Sequence, residues 1–165
     1  MKDLKEKNPY IAAVLGIKPI ELVVIQKELP DYVAILQYLP LPDKLIIFVV
    51  RNRGVDIVEK GVTKAEIEYK VDSLRKAILD RAVGILSQEI QPLSRELYDV
   101  LIKPVEENEG LKGVNVIGVA PNSFLHQLPF GTLMNAEGRY SVGYDAVQLD
   151  SATVALHFAP GGLSG

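Results

Sequence analysis

Three short stretches rich in Val, Ile, Leu and Tyr, at residues 32–39, 44–51 and 55–62, are separated by Pro40-Leu41-Pro42-Asp43 and by Asn52-Arg53-Gly54. Branched apolar runs broken by turn-forming residues predict three strands joined by tight turns, an antiparallel meander. The middle run is apolar from Leu45 through Val50, which predicts burial on both faces. In the third run Val55, Ile57 and the aliphatic stem of Glu59 alternate with Asp56 and Val58. The periodicity then changes. Thr63-Lys64-Ala65-Glu66 has the form of a capping box, and Ile67, Val71, Leu74 and Ile78 follow at the spacing of one helical face. The stripe predicts a helix that reaches towards Leu86, weakened at Gly84. A second helix is expected from about Leu93 through Leu101 towards Glu107, with Leu97, Leu101 and Val105 inward and a bend at Pro104. Glu106-Glu107-Asn108-Glu109-Gly110 reads as its solvated acidic end.

Residues 114–119, bounded by Gly113 and Pro121, suit a central strand following a helix. A helical turn is expected around 131–134, a strand over 140–149 and a last short helix over 151–158, capped from the Asp150-Ser151-Ala152-Thr153 stretch. Before the meander, residues 8–16 carry Asn8, Pro9 and Gly16 in the order that starts and stops a short helix, and residues 19–29 read as another, closed by Pro30. Residues 1–30 are therefore expected to form a helical connector, and residues 31–165 an α/β layered domain with a mixed sheet.

Composition narrows the function. The 165 residues are 48% hydrophobic and 24% charged, as in a globular domain, and 18 Lys and Arg against 21 Asp and Glu give a net charge of -3. No basic excess exists to neutralise a phosphate backbone, so nucleic acid is not an expected partner. No apolar run approaches the length needed to span a bilayer, so no membrane partner is expected either, and a charged start without a secretory core points to the cytoplasm. There is no cysteine, which excludes disulfides, thiolate metal sites and a cysteine nucleophile from this polypeptide. His126 and His157 are the two imidazoles, far apart and without carboxylates at metal-ligand spacing, so no metal or other cofactor is expected. Ser151 and Thr153 sit in no Gly-x-Ser-x-Gly elbow, and helix capping accounts for them.

Four stretches together resemble the amino-terminal half of the CHAT domain, a caspase-like cysteine peptidase module associated with tetratricopeptide repeats. The first is Leu29 to Tyr38 followed by Asp43 to Val50, similar to an opening strand pair. The second is Leu97-Tyr98-Asp99-Val100-Leu101-Ile102-Lys103-Pro104-Val105. The third and most specific runs from Val119 to Leu133 and contains Leu125-His126-Gln127-Leu128-Pro129-Phe130. The fourth is Tyr140 to Leu156, with Tyr144 and Asp150-Ser151-Ala152-Thr153. One departure stands at Pro121-Asn122-Ser123-Phe124, where the family shows Pro-Asp-Gly and an aliphatic residue; Ser123 lacks the freedom of glycine at positive φ.

The resemblance implies a caspase-like fold, here as a partial domain, whose chemistry rests on a His in a His-Gly pair and a Cys in a Ser-Ala-Cys segment. Neither motif is present, and His157 is followed by Phe158, so no catalytic residue is assigned. The implied function is the non-catalytic amino-terminal portion of a peptidase, a scaffold and cleft wall for a dyad downstream. The alternative is a stand-alone interaction module or pseudo-enzyme. The implied partners are the remainder of the domain, tetratricopeptide repeats and, in the complete enzyme, a peptide or protein substrate. Self-association is expected from an interrupted sheet. His126, Pro129 and Phe130 are candidates for cleft or turn support, His126 chiefly as a partly buried imidazole bonded to a backbone carbonyl. Tyr10, Ile11 and Val14 are candidates for partner contact, although packing against the domain itself is the favoured account of them.

Overall fold

A computed structural model describes residues 19–84, 88–138 and 145–148. The expected helices over 8–16 and 151–158, together with Tyr10, Ile11, Val14 and His157, lie outside the described residues. The chain folds as α1 (Pro19–Glu28), β1 (Val33–Pro40), β2 (Leu45–Arg51), β3 (Gly54–Lys60), α2 (Lys64–Ala82), α3 (Ile90–Leu101), α4 (Lys103–Glu107), β4 (Val116–Ala120) and β5 (Asp145–Gln148). Two 3-10 turns, Ser123–Gln127 and Phe130–Thr132, lie between the last two strands.

The five strands form one mixed sheet in the order β3-β2-β1-β4-β5. The meander is present: β1 pairs antiparallel with β2, and β2 with β3. β1 also pairs in parallel with β4, Val33 opposite Val116 through Gln37 opposite Ala120, and β4 pairs in parallel with β5. The opening strands and the later strand are thus one sheet, an α/β arrangement with flanking helices compatible with part of a caspase-like fold.

Alternation along the strands makes two cores. Ala34, Leu36 and Tyr38 of β1, Leu45, Ile47 and Val49 of β2, and Ile117 and Val119 of β4 share the larger one with α2, α3 and α4. Ile35, Phe48 and Val50 turn to the other face and meet Leu22, Ile25 and Leu29 on and just after α1. β2 is therefore apolar from Leu45 through Val50 because each parity of residue faces a different core. β3 is an edge strand. Val58, opposite Ile47, joins the larger core, and Ile57, opposite Phe48, is left exposed on the other face.

α2 buries Ile67, Val71 and Leu74 as the stripe requires, with Ala77 added and Ile78 half-buried, and it ends at Ala82 rather than running to Leu86. Its capping box is complete. The Glu66 amide donates to the Thr63 hydroxyl (3.2 Å), while the Thr63 hydroxyl and amide donate to the Glu66 carboxylate (2.7 and 2.8 Å). Those two bonds, the side-chain one foremost, hold the Glu66 carboxyl below its ordinary range. A depressed folded-state pKa stabilises above the unfolded value, and the contribution is lost as pH falls through the folded one. Thr63→Ala should cost about 1 kcal/mol at neutral pH, as N-cap removals do. The loss should shrink in acid, where Glu66 is protonated in either protein; urea denaturation at both pH values measures this.

The expected bend at Pro104 is a break. α3 ends at Leu101, and Pro104 occupies the first turn of α4, where a missing N–H costs nothing. The acidic end of α4 is not simply solvated. Gly110 N–H donates to the Val105 carbonyl (2.9 Å) and Glu109 N–H to the Glu106 carbonyl (3.0 Å), the two bonds of a Schellman stop. Glu109 takes the left-handed position at φ 56. Gly110 is buried so closely that a Cβ would stand 2.9 Å from Val105 Cγ1 and 3.2 Å from the Val105 carbonyl oxygen. Leu111 follows it into the core, which turns the chain back towards β4.

Candidate functional site

β1 and β4 run in the same direction, so their carboxyl ends emerge on one edge of the sheet, the edge where open α/β sheets present their loops for function. The segment leaving β4 is Pro121 to Leu133. Its apolar positions dictate its course: Phe124, Leu125, Leu128, Phe130 and Leu133 are all buried. Between these anchors the chain closes by 3-10 bonds. The Leu125 amide donates to the Asn122 carbonyl (3.2 Å), that of Leu128 to Leu125 (3.1 Å), and that of Leu133 to Phe130 (3.1 Å). Asn122 is extended, and among the described non-glycine residues only Glu109 has a positive φ. The turn therefore does not need glycine at Ser123, and the departure from Pro-Asp-Gly is accommodated.

With Leu125 and Leu128 turned inward, His126 and Gln127 point outward, and His126 is exposed. This corrects the expectation of a partly buried imidazole: neighbouring leucines took the inward positions. Gln127 is held from the side by Arg75 of α2, whose guanidinium donates to its amide oxygen. Pro129 is half-buried and its carbonyl accepts from both the Thr132 amide (2.9 Å) and the Thr132 hydroxyl (2.8 Å), which fixes the second 3-10 turn.

Phe130 is the pivot. Its ring stacks on Tyr38 of β1 with centroids 5.6 Å apart and planes at 28°. Tyr38 is wholly buried, and its hydroxyl donates to the Leu101 carbonyl (3.0 Å) at the end of α3. That carbonyl is free because the helix breaks there: the Val105 amide, which would meet it in a continuous helix, donates to Ile102 instead (3.0 Å). Burial raises the Tyr38 pKa well above the usual phenol range, so the hydroxyl remains a donor at any working pH. Three of the stretches singled out in the sequence, the β1 strand, the Pro104 helix and the His126 turn, thus meet at one phenol. Sequence reasoning did not single out Tyr38. A tyrosine among apolar residues on an inward strand parity is the signal that was available, since a buried phenol needs an acceptor.

The described candidates form a packed turn anchored by Phe130, with the His126 imidazole exposed on it. Among the described residues no group of three or more His, Cys, Asp or Glu stands ready to hold a metal ion, and no helix is long and apolar enough to cross a membrane.

The family described as CHAT domain matches residues 91–159, a partial-domain match consistent with a fragment of that domain. The Pro104 helix, the His126 turn and the stretch from Tyr140 to Leu156 lie inside the match, and the opening strand pair lies before it, joined to it by the β1–β4 ladder. No curated protein matches the chain significantly.

Proposed function

On the premise that residues 91–159 carry CHAT-domain sequence, we propose that the chain is the non-catalytic amino-terminal portion of a CHAT-type caspase-like cysteine peptidase. It supplies scaffold and one wall of a cleft for a His/Cys dyad encoded further on. The observation that carries this reading is the family match over a segment whose apolar anchors fold onto the carboxyl edge of β1 and β4. In this reading residues 31–165 are the contributed part of the domain. Phe130 and Pro129 hold the wall, and His126 faces the cleft without taking part in proton transfer. Thiolate attack on a scissile carbonyl needs sulfur, and this polypeptide has none, so the nucleophile belongs to the partner portion. The other partners are a peptide or protein substrate and tetratricopeptide repeats, in the cytoplasm.

The test joins this chain to the continuation of its native reading frame and assays peptide hydrolysis. The chain alone is expected to cleave nothing, and the joined protein to gain an activity abolished by thiol alkylation. Hydrolysis by the purified chain alone, or a continuation lacking His-Gly and Ser-Ala-Cys segments, would overturn the proposal. A second reading, an interaction module without chemistry, draws on the absence of cysteine. Capture of a repeat protein by this chain, with no activity in the joined protein, would favour it.

A further inference from the structure

α2 turns Ile67, Val71 and Leu74 into the core and carries a second row on its far side. Ala65, Tyr69, Asp72, Lys76, Leu79 and Val83 recur at alternating steps of four and three residues, the spacing of a coiled-coil seam. All six are exposed, Tyr69 by 73%, Leu79 by 61% and Val83 by 75%. Single exposed apolar side chains are ordinary on a surface, but three large ones in one row of one helix point to a contact. Lys70 reaches to Glu96 of α3 on one flank of the helix and Arg75 to Gln127 of the turn after β4 on the other. The row lies on the ridge between these neighbours. It also runs the whole length of α2, from just inside the Thr63 cap to Val83, after which Gly84 at φ 86 turns the chain away.

The row is complementary to itself. Laid antiparallel on a second copy with the two Leu74 positions level, it sets Asp72 against Lys76 twice, Tyr69 against Leu79 twice and Ala65 against Val83 twice. Opposite charges then meet at the centre, a large apolar pair stands on either side of them, and a small residue meets a branched one at each end. Sliding the copies by one heptad sets Asp72 against Tyr69 or Val83, and a parallel pairing sets each charge against its like. Charge thus selects both direction and register. Of the charges beside the row, Glu66 is held by Thr63 and Arg75 by Gln127. We infer that α2 is the contact by which two copies of this chain associate, as an antiparallel helix pair with reciprocal Asp72–Lys76 ion pairs at its centre. One helix from each copy buries less than about 1,200 Å², in the range of weak and reversible association. The contact is independent of the peptidase reading.

Sedimentation equilibrium of the full chain, from micromolar to near-millimolar concentration, should show a monomer–dimer equilibrium. Asp72→Lys alone and Lys76→Asp alone should each weaken the dimer at least about tenfold, because like charges then face one another in both central layers. Mixing the two variants, or combining both changes in one chain, should restore it, since every central layer again pairs opposite charges. Both positions are exposed, so neither change disturbs the core, and recovery on mixing shows that both variants are folded. A chain that stays monomeric throughout, association that the single changes leave intact, as pairing through the β3 edge would be, or single variants that fail to recover on mixing would each overturn the inference.

Discussion

Tyr38→Ala is expected to remove about 4 kcal/mol of folding stability, the range seen when large buried aromatic side chains are truncated. The ring is wholly enclosed and stacked on Phe130, and it lies where β1, the end of α3 and the turn after β4 meet. Its loss opens a cavity lined by three elements rather than one, which leaves little room for collapse. Set against a total of about 5–15 kcal/mol for a domain, that is enough to leave much of the population unfolded at modest denaturant. Tyr38→Phe separates the two roles of the side chain. It keeps the ring and strands the Leu101 carbonyl, so about 1–2 kcal/mol should be lost. Urea denaturation of the three proteins gives both numbers. A cost under about 1 kcal/mol for Tyr38→Ala would mean that the phenol is not the junction described, since core truncations of this kind cost several times more.

Arg51→Ala should be the next largest, at about 2 kcal/mol, because charge-assisted hydrogen bonds exceed neutral ones. Arg51 closes β2, and its guanidinium forks across the chain return: one nitrogen donates to the Gly110 carbonyl (3.3 Å) and another to the Lys112 carbonyl (2.9 Å). Those carbonyls belong to the Schellman stop and the turn at Gly113 (φ 76) that deliver the chain to β4. Arg51→Lys should recover less than half of the loss, since an ammonium cannot span two acceptors in one plane. Full rescue by lysine in thermal denaturation would show that charge alone, and not the fork, acts here.

The meander and the α2 stripe were legible, and so was an interruption near Pro104, although as a bend and not as the break that separates α3 from α4, because each rests on local chemistry: branched apolar runs between turn residues, a capping box, a proline without an amide. What escaped depends on distant neighbours. Ile57 and Val58 cannot be ranked from their own alternation, since β3 is an edge and its inward parity is set by the pairing with β2. Glu106 to Gly110 looked like a solvated tail because its carboxylates dominate the composition, whereas the close approach of Gly110 to Val105 decides its shape. The partly buried imidazole expected at His126 is an exposed one, because Leu125 and Leu128 take the inward positions on either side of it. Tyr38 and Arg51 act on carbonyls far along the chain, which no local pattern announces. The family resemblance was readable from the series of motifs, and the match over 91–159 supports it where those motifs are densest.

The strand order places β1 between a neighbour made at once and a neighbour made late. β2 and β3 can zip onto it as soon as they leave the ribosome, but its other flank waits for β4, after α2, α3 and α4 have been synthesised. During that interval a row of unpaired amides and carbonyls beside an apolar strand is open to any passing chain. The slow, non-local closure of that ladder, rather than the finished fold, is thus the step at which production of this protein is most vulnerable to misassembly.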